Sequence, residues 1–269
     1  MPEGDTIAYA AQRIRLVLEG HVPDEIRTPH PSHRLDRWPE RLDGRAVTEI
    51  RTHGKHLFIR FGRAERISSG GFDGDLTLHS HLRMTGSWGV YELGHRWRRS
   101  AHRAWLVLAC AGREVVQFDG PVLELLTESR TRFDQRLNAL GPDILAPEFD
   151  YDRFLARLRA DDYTRGIGDA LLDQRNLAGI GNLWKSEGCW EMSIDPWRKV
   201  KAISDAEAVA IVDALRPRMF ESARTGDQGT HRRVFRQNGR PCPRCGTRIQ
   251  ARGQGEDNRT TFWCPGCQH

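Results

Sequence analysis

Residues 242 to 267 begin with Cys242-Pro-Arg-Cys245 and end with Cys264-Pro-Gly-Cys267, two Cys-x-x-Cys pairs separated by eighteen residues. Pairs at this separation are typical of a zinc ribbon, in which four thiolates hold one tetrahedral ion and a hairpin joins the pairs. Two disulfides are the alternative, which the spacing and a reducing compartment both disfavour. The sequence therefore predicts one structural zinc ion bound by Cys242, Cys245, Cys264 and Cys267.

The segment between the cysteine pairs contains Gln254-Gly-Glu-Asp-Asn-Arg259-Thr-Thr-Phe-Trp263, a polar turn that ends in a strand-prone run. Arg259 lies near the tip of this predicted hairpin, five residues before Cys264. An arginine fork on a rigid ribbon suits an anionic group such as phosphate. A solvated turn residue is the alternative, and for an isolated arginine it is the more common one.

Length and composition favour one large or two ordinary domains in addition to the ribbon. The chain has 269 residues, of which 38% are hydrophobic, enough to form a core. A net charge of +5 and a pI of about 9.0 favour an anionic partner. Arginines cluster at residues 96 to 103 and 231 to 240, with aromatic residues among them. Such clusters suit phosphate contacts, although a charge run is more often a solvated surface.

Cysteine usage and the lack of long apolar segments indicate the compartment. Six cysteines, four of them assigned to zinc, suit a reducing environment, and Cys110 and Cys189 are expected to be buried thiols. The N-terminal residues lack the basic and apolar regions of a targeting peptide. The longest apolar run, residues 104 to 112, has nine residues and is too short to cross a bilayer. We therefore expect a cytoplasmic protein without a membrane partner.

The first half of the chain predicts one amphipathic helix and then a series of short strands. Apolar residues recur at helical spacing over residues 7 to 18, with Asp5 or Thr6 as N-cap and Gly20 as the stop signal. Residues 28 to 44 predict a loop with room for one helical turn. The expected strands indicate a β-sandwich or flattened barrel, and they cover residues 47–50, 56–61, 76–82, 88–91, 104–109, 114–118 and 122–126.

The second half predicts helices. Glycine and proline residues mark a linker over residues 140 to 150. Ser204 is the expected cap of the last helix. The helical patterns cover residues 151–160, 169–176, 183–189 and 204–214.

A glycine-containing turn connects two of these helices, in the stretch Leu171-Leu-Asp-Gln-Arg-Asn-Leu-Ala-Gly-Ile-Gly-Asn182. Gly179 and Gly181 allow the backbone to turn tightly. The second helix would then present its first amides, with Asn182 beside them, to an anion. This arrangement predicts a phosphate cradle, and a plain turn between two helices is an equal alternative.

Four separated motifs occur in the order found in the formamidopyrimidine-DNA glycosylase and endonuclease VIII family. The chain starts Met-Pro-Glu-Gly, has Thr52-His-Gly-Lys55 before a strand, continues with Leu-Leu-Asp-Gln and Gly-Ile-Gly-Asn, and ends in the four-cysteine ribbon. The sequence resembles this family along its whole length, and most closely the endonuclease VIII branch. The resemblance implies an α+β fold with three domains. They are a β-sandwich with an N-terminal helix (1–140), a helix–two-turn–helix domain (141–229) and the zinc ribbon (230–269), with DNA bound in the cleft between them.

The resemblance also implies catalytic roles. Pro2 would become the N-terminus once Met1 is removed, and a secondary amine with a pKa of about 8 is partly unprotonated at neutral pH. It would attack C1′ of the deoxyribose and form a Schiff base. Glu3 would be the general acid, with a first-turn helix acid as the alternative. Lys55 would contact phosphate and assist base excision or the first elimination, with a strand-edge lysine as the alternative.

Further residues are implied to contact DNA. Asn182 would hold a phosphate beside the lesion, and Arg259 would bind phosphates around the damaged nucleotide and assist the second elimination. A base inside the duplex stack is out of reach, so the nucleotide must be extruded. Arg83 and Met84 match the family's intercalation loop, and the methionine would fill the gap.

The implied function is that of a bifunctional DNA glycosylase and abasic-site lyase acting on double-stranded DNA with damaged bases or abasic sites. The resemblance suggests a monomer in the cytoplasm, associated with the nucleoid. We expect oxidised pyrimidines to be preferred, because of the Met-Pro-Glu-Gly start and the short polar stretch at residues 224 to 233, which leaves an open pocket. Met84 and the missing Gln-Leu-Tyr motif are closer to the other branch, so an 8-oxoguanine-directed enzyme is the alternative.

Two hypotheses of other classes stay open. One is a non-catalytic zinc-ribbon protein that binds DNA, and the other is a zinc-ribbon factor for RNA or ribosomes. Pro2 disfavours the first, and Pro2-Glu3 with the glycine turn disfavours the second. The connection from residue 62 to 74 is longer than a tight hairpin requires and has no assigned role.

Overall fold

The computed structural model describes residues 2–33, 35–63, 74–230 and 232–269. They form two compact units, one with Pro2 and Thr6–Asn138 and the other with Glu3–Asp5 and Ala139–His269. Met1, His231 of the second arginine cluster and residues 64 to 73 of the long connection lie outside the described residues.

The first unit is a β-sandwich. Its strands are β1 (Glu25–Arg27), β2 (Arg45–His53), β3 (His56–Arg63), β4 (Leu76–His81), β5 (Ser87–Glu92), β6 (Ala104–Cys110), β7 (Arg113–Phe118) and β8 (Val122–Thr127). Over the described residues, one sheet has the order β2-β3-β4-β8 and the other β1-β6-β7-β5, with antiparallel pairing throughout. Seven of these strands were predicted from the sequence, and the three-residue β1 was missed because it is too short to show a pattern.

Alternation along the strands separates the sandwich core from an outer polar face. On β3, Leu57, Ile59 and Phe61 belong to the core between the sheets. His56 and Arg60 alternate with them and so lie on the opposite face. The sandwich core therefore leaves one face of this sheet to residues that can carry chemistry.

Short helices complete the first unit. Helix α1 (Gly4–Leu18) buries Ile7, Ala11 and Ile14 in the sandwich core, as its helical spacing predicts. Helices α2 (Trp38–Leu42), α3 (Glu128–Phe133) and α4 (Gln135–Asn138) follow. The predicted N-cap of α1 is wrong, because Asp5 lies inside the first turn. Asp5 belongs to the second unit, and its carboxylate accepts hydrogen bonds from Ser222 and Gln228 of that unit.

The second unit contains helices α5 (Tyr151–Ala160), α6 (Ile167–Leu172), α7 (Asn182–Glu191) and α8 (Asp205–Thr225) around one apolar core. Helix α6 ends earlier than predicted, because the Asp173 side chain bonds the Arg175 amide and closes a turn. Ser204 caps α8 as predicted, in a full capping box with Glu207.

Helix α8 continues eleven residues beyond the predicted end at Ala214. Pro217 lies inside it, where proline is unfavourable because it lacks an amide hydrogen. Leu215 and Met219, on either side of the proline, are fully buried in the core of the second unit. Tertiary packing therefore outweighs the local cost until Gly226, whose φ of 77° ends the helix.

The C-terminal ribbon is an antiparallel hairpin of β9 (Gln250–Gln254) and β10 (Arg259–Trp263), as predicted. Arg259 pairs with Gln254, so it is the first strand residue after the turn. A small core of Trp190, Val234 and Ile249 surrounds Cys242 and Cys264. None of the described helices combines the length and the apolar character that crossing a bilayer requires.

Candidate functional site

Glu3 lies at the N-terminus of helix α7. Its side chain is buried, with 1% of the residue exposed. The Leu183 amide donates to Glu3 Oε1 at 2.9 Å and the Trp184 amide donates to Oε2 at 3.4 Å. Free amides at a helix start attract negative charge. The anion cradle predicted at this turn therefore exists, but the carboxylate of Glu3 fills it rather than a phosphate.

Glycine is required at the turn for this approach. A Cβ built on Gly181 would lie 2.3 Å from Cδ of Glu3, far inside van der Waals contact. The amide of Gly4 donates to the carbonyl of Gly179 at 2.8 Å, and Gly179 has a φ of 99°. These contacts fix the backbone on the C-terminal side of Pro2, which is itself partly buried.

The hairpin that carries Arg259 is bonded to helix α7. The Asn182 side chain donates to the carbonyl of Thr260 at 2.6 Å. One turn later, the amine of Lys185 donates to the hydroxyl of Thr261. Asn182 is 8% exposed and its Oδ1 has no protein partner among the described residues. The phosphate contact expected of Asn182 stays a prediction.

Arg259 extends from the start of β10 toward solvent. Its side chain is 45% exposed, and its guanidinium lies 3.2 Å from the carboxylate of Asp257. Exposed ion pairs contribute about 0–1 kcal/mol. Arg259 can therefore leave Asp257 for a phosphate at little cost.

The four cysteines predicted from their spacing lie together. Their sulfur atoms are all within 4.8 Å of one another, with Cys242 and Cys267 at 3.8 Å and Cys245 and Cys264 at 3.4 Å. Tetrahedral zinc with Zn–S bonds of about 2.3 Å places its sulfurs about 3.8 Å apart. Trp190 Nε1 lies 3.4 Å from Cys242 Sγ, as a donor in the outer shell of a metal thiolate would. The cysteines are positioned to bind one metal ion.

Lys55 lies in the turn between β2 and β3, after Gly54, whose φ is 57°. The turn leads directly into a cluster of histidines on the outer face of the sheet. His56 on β3 pairs with His81 on β4, and their ring centroids are 4.6 Å apart. The sequence pattern does not bring His56, His79 and His81 together, because their proximity depends on strand register.

Hydrogen bonds from His56 to His79 and from His79 to Glu124 determine which ring nitrogens of the two histidines carry protons. Burial raises the pKa of Glu124, but hydrogen bonds from Arg136 and His79 outweigh it and the net pKa is lowered. The ionised carboxylate accepts from Nδ1 of His79 at 3.2 Å. Burial lowers the pKa of His79, so this ring is neutral and its Nε2 accepts from Nδ1 of His56 at 2.8 Å. Burial lowers the pKa of His56 to about 3, so this ring is also neutral and its Nε2 carries no proton.

His81 contacts the loop that follows β4 and lies near Lys55. Its Nδ1 accepts from the backbone amide of Arg83 at 3.3 Å, which leaves the proton on Nε2. Burial, followed by the charges of Lys55 and Arg83, lowers the pKa of His81 to about 4. Lys55 and Arg83, predicted separately from the sequence, are thus both near one neutral imidazole.

The predicted intercalation loop is held at its base and exposed at its tip. Arg83 has a φ of 44°, in the left-handed region. Arg99 donates to the carbonyl of Thr85 at 2.8 Å and to Asp119 at 2.5 Å. Met84 is 65% exposed, which is unusual for a large apolar side chain. An exposed methionine on a braced turn is the geometry that a wedge between bases needs.

Glu187 is a further buried carboxylate that the sequence did not single out. It accepts from the backbone amides of Arg233, Val234 and Phe235 at 2.9–3.0 Å, and Arg218 lies 3.3 Å away. These bonds attach the segment before the ribbon to helix α7, so the role of Glu187 is structural.

Comparison with known protein families matches both halves of the chain. Residues 1–121 match the formamidopyrimidine-DNA glycosylase N-terminal domain, and residues 140–234 match the formamidopyrimidine-DNA glycosylase H2TH domain. Crystal structures of Lactococcus lactis Fpg bound to DNA cover the whole chain with a TM-score of 0.81 at 22% identity. This likeness confirms the predicted α+β fold.

Full-length relatives match at higher identity. A probable endonuclease 8 2 of Streptomyces coelicolor is 41% identical over all of this chain and 94% of its own length. The DNA-(apurinic or apyrimidinic site) lyase Nei2 of Mycolicibacterium smegmatis is 35% identical, over all of this chain and 99% of its own length. Endonuclease 8 of Escherichia coli is 30% identical over the full length of both chains. The chain therefore belongs to the formamidopyrimidine-DNA glycosylase and endonuclease VIII family of DNA glycosylases and abasic-site lyases.

Proposed function

We propose that the chain is a bifunctional base-excision enzyme that removes oxidised bases through Pro2 and then cleaves the strand by β- and δ-elimination. The buried carboxylate of Glu3 supports this proposal most strongly. It is held by two helix amides and is adjacent in the chain to the residue that would carry the nucleophilic amine. Relatives named endonuclease 8 and abasic-site lyase support the same activity.

The first step is nucleophilic substitution at the sugar. With Met1 removed, the unprotonated secondary amine of Pro2 attacks C1′, and the bond to the damaged base breaks with its electron pair leaving on the base. Opening of the sugar ring transfers a proton to O4′, the role assigned to Glu3. The product is an iminium between Pro2 and C1′.

The next steps break the strand. The iminium acidifies C2′, so loss of a C2′ proton expels the 3′ phosphate, and a second elimination expels the 5′ phosphate. Lys55 is assigned to phosphate contact and to base excision or the first elimination. Arg259 is assigned to phosphate binding and the second elimination, where its guanidinium offers a bidentate fork.

Duplex DNA containing damaged bases or abasic sites is the proposed partner of a monomeric enzyme. The named Lactococcus structures were solved with damaged or abasic-site DNA. We assign Asn182 to a phosphate beside the lesion, and Arg83 and Met84 to the gap left by the extruded nucleotide. We keep the cytoplasm, with the nucleoid, as the proposed location.

We propose zinc as the metal held by Cys242, Cys245, Cys264 and Cys267. Four thiolates close the coordination sphere, so the ion has no position for substrate and its role is structural. It would hold the hairpin that carries Arg259.

Oxidised pyrimidines are the proposed substrates. Three relatives that span the chain are named endonuclease 8 or Nei2, which agrees with the endonuclease VIII branch. The test is single-turnover excision from matched duplexes containing thymine glycol, dihydrouracil or 8-oxoguanine opposite cytosine. Faster excision of the two pyrimidines supports the proposal, and a clear preference for 8-oxoguanine assigns the chain to the purine-directed branch. Tight lesion binding without excision would favour the non-catalytic alternative.

A further inference from the structure

Lys185 is a buried amine with no role in the chemistry assigned above. It lies on helix α7, one turn after Asn182, and 0% of it is exposed. Its amine donates to the hydroxyl of Thr261 and lies 3.5 Å from Oε1 of Gln254. Both partners are neutral, whereas a buried ammonium is usually paired with a carboxylate. A group this costly to bury requires an explanation.

The amine joins helix α7 to both strands of the ribbon hairpin. The hydroxyl of Thr261 on β10 donates to Oε1 of Gln254 on β9 at 2.8 Å. The amide of Gln254 donates in turn to the carbonyl of Pro196 at 2.7 Å. Lys185 is therefore the helix end of a hydrogen-bond chain that crosses the hairpin two residues from Arg259.

The N-terminus of helix α7 binds the Glu3 side chain. The Leu183 and Trp184 amides bind its carboxylate less than one turn before Lys185. Burial lowers the pKa of Lys185 to about 8, the charges of Asp169 and Glu3 oppose this shift, and the charge of Arg259 adds to it. The charges of Glu3 and Arg259 thus both act on this amine.

We propose that Lys185 is a positioning residue that fixes the Arg259 hairpin on helix α7, at a set placement relative to the Glu3 carboxylate. The inference rests on the proposed function. Loss of Lys185 should affect one catalytic step more than the other, because the hairpin carries Arg259 and not Pro2. The second elimination depends on Lys185, whereas formation of the Schiff base does not.

The test uses the full-length, zinc-loaded enzyme on a duplex with one abasic site. Borohydride trapping measures Schiff-base formation, and gel analysis measures the ratio of β- to δ-elimination products. We expect Lys185→Met to keep wild-type trapping and to lower the δ share by about tenfold, equivalent to about 1.4 kcal/mol. Lys185→Arg should restore the ratio. Lys201→Met, which removes an exposed amine from the same unit, should match the wild type.

The pH profile separates positioning by a charge from mere packing. In the wild type the δ share should fall as pH rises through about 8, where Lys185 loses its proton. Asp169, Cys189, Glu3 and Arg259 are the ionisable groups that face it. Lys185→Arg stays charged, so its ratio should not fall in this range. A ratio with equal pH dependence in both proteins contradicts the inference.

If Lys185→Met fails to fold, Thr261→Val tests the same series of hydrogen bonds from Lys185 to Gln254. It removes the hydroxyl and keeps the shape of the side chain, and we expect the same loss of δ product. Wild-type product ratios in both variants overturn the inference, as does an equal loss of trapping and of δ product. A wild-type enzyme that is not trapped at all refutes the proposed function itself, and the inference with it.

Discussion

The carboxylate of Glu3 accepts a 2.9 Å hydrogen bond from the backbone amide of Leu183, 180 residues later in the chain. Glu3, the second residue after the initiator methionine, thus binds the N-terminus of the buried helix α7. The helix gains a partner for amides that would otherwise be unsatisfied. The carboxylate gains a single position next to Pro2 in the chain, which a general acid requires.

Gly181→Ala should separate the Glu3 carboxylate from the amides at the start of helix α7. The added Cβ would lie 2.3 Å from Glu3 Cδ, so either the carboxylate or the turn must move. We expect a loss of about 1–3 kcal/mol in the free energy of unfolding, as for other overpacked sites, and a fall in excision and trapping rates. Chemical denaturation and single-turnover assays measure these. Gly74→Ala, where a Cβ meets nothing within 4 Å, is the control. Wild-type behaviour of Gly181→Ala would show that the contact is dispensable.

Arg259→Ala should retain base excision while weakening DNA binding and the second elimination. The guanidinium is exposed at the hairpin turn, where it can bind phosphate. Gels should show 3′-unsaturated aldehyde ends accumulating over 3′-phosphate ends. Arg248→Ala, another exposed ribbon arginine, should behave like the wild type. Unchanged affinity together with an unchanged product ratio would exclude the assigned role.

Removal of the metal should abolish DNA binding without unfolding the β-sandwich. We expect about one zinc per chain and none retained in Cys264→Ser, because the site needs four thiolates. Metal analysis, circular dichroism and gel-shift assays test this. Cys110→Ala alters a buried thiol in the sandwich core and should keep its zinc. Full DNA binding by thoroughly demetallated protein is the contrary result.

Acid should destabilise the protein partly through His81. The pKa of this ring is lowered from 6.5 to about 4 in the folded state, chiefly by burial. Between these values the unfolded chain binds a proton that the folded chain does not, so the free energy of unfolding falls as pH falls from 6.5 toward 4.

His81→Asn should flatten this fall, since the amide oxygen can still accept from Arg83 but does not titrate. One group contributes at most about 1.4 kcal/mol per pH unit, and a half-buried ring contributes less. Urea unfolding at several pH values between 5 and 7 measures the slope. The exposed His21→Asn is the control. An identical slope in His81→Asn and wild type would mean that the ring does not contribute.

Local patterns predicted much of the fold. The four cysteines were identified by spacing alone, because both pairs must reach one ion. Seven strands and the capped helix α8 followed from alternation and from Ser204. The predicted end of α8 was eleven residues too early, because the packing that holds the helix beyond Pro217 is not local.

Long-range relationships were beyond the sequence. Glycines at the 179–181 turn indicated an anion, but nothing in the pattern said that the anion is Glu3. The chain from Glu124 through His79 to His56 depends on strand register, which joins residues on three strands. Lys185 has the sequence pattern of an ordinary helix lysine, and only its burial distinguishes it.

Borohydride trapping followed by peptide mapping determines whether Pro2 is the nucleophile. Wild-type protein without Met1 should become covalently attached to abasic-site DNA through its N-terminal peptide. Pro2→Ala should lose most trapping, and the partly exposed Pro39→Ala should be trapped like the wild type. Attachment through an internal lysine, with Pro2→Ala trapped as efficiently as wild type, would show that this lysine and not Pro2 is the nucleophile.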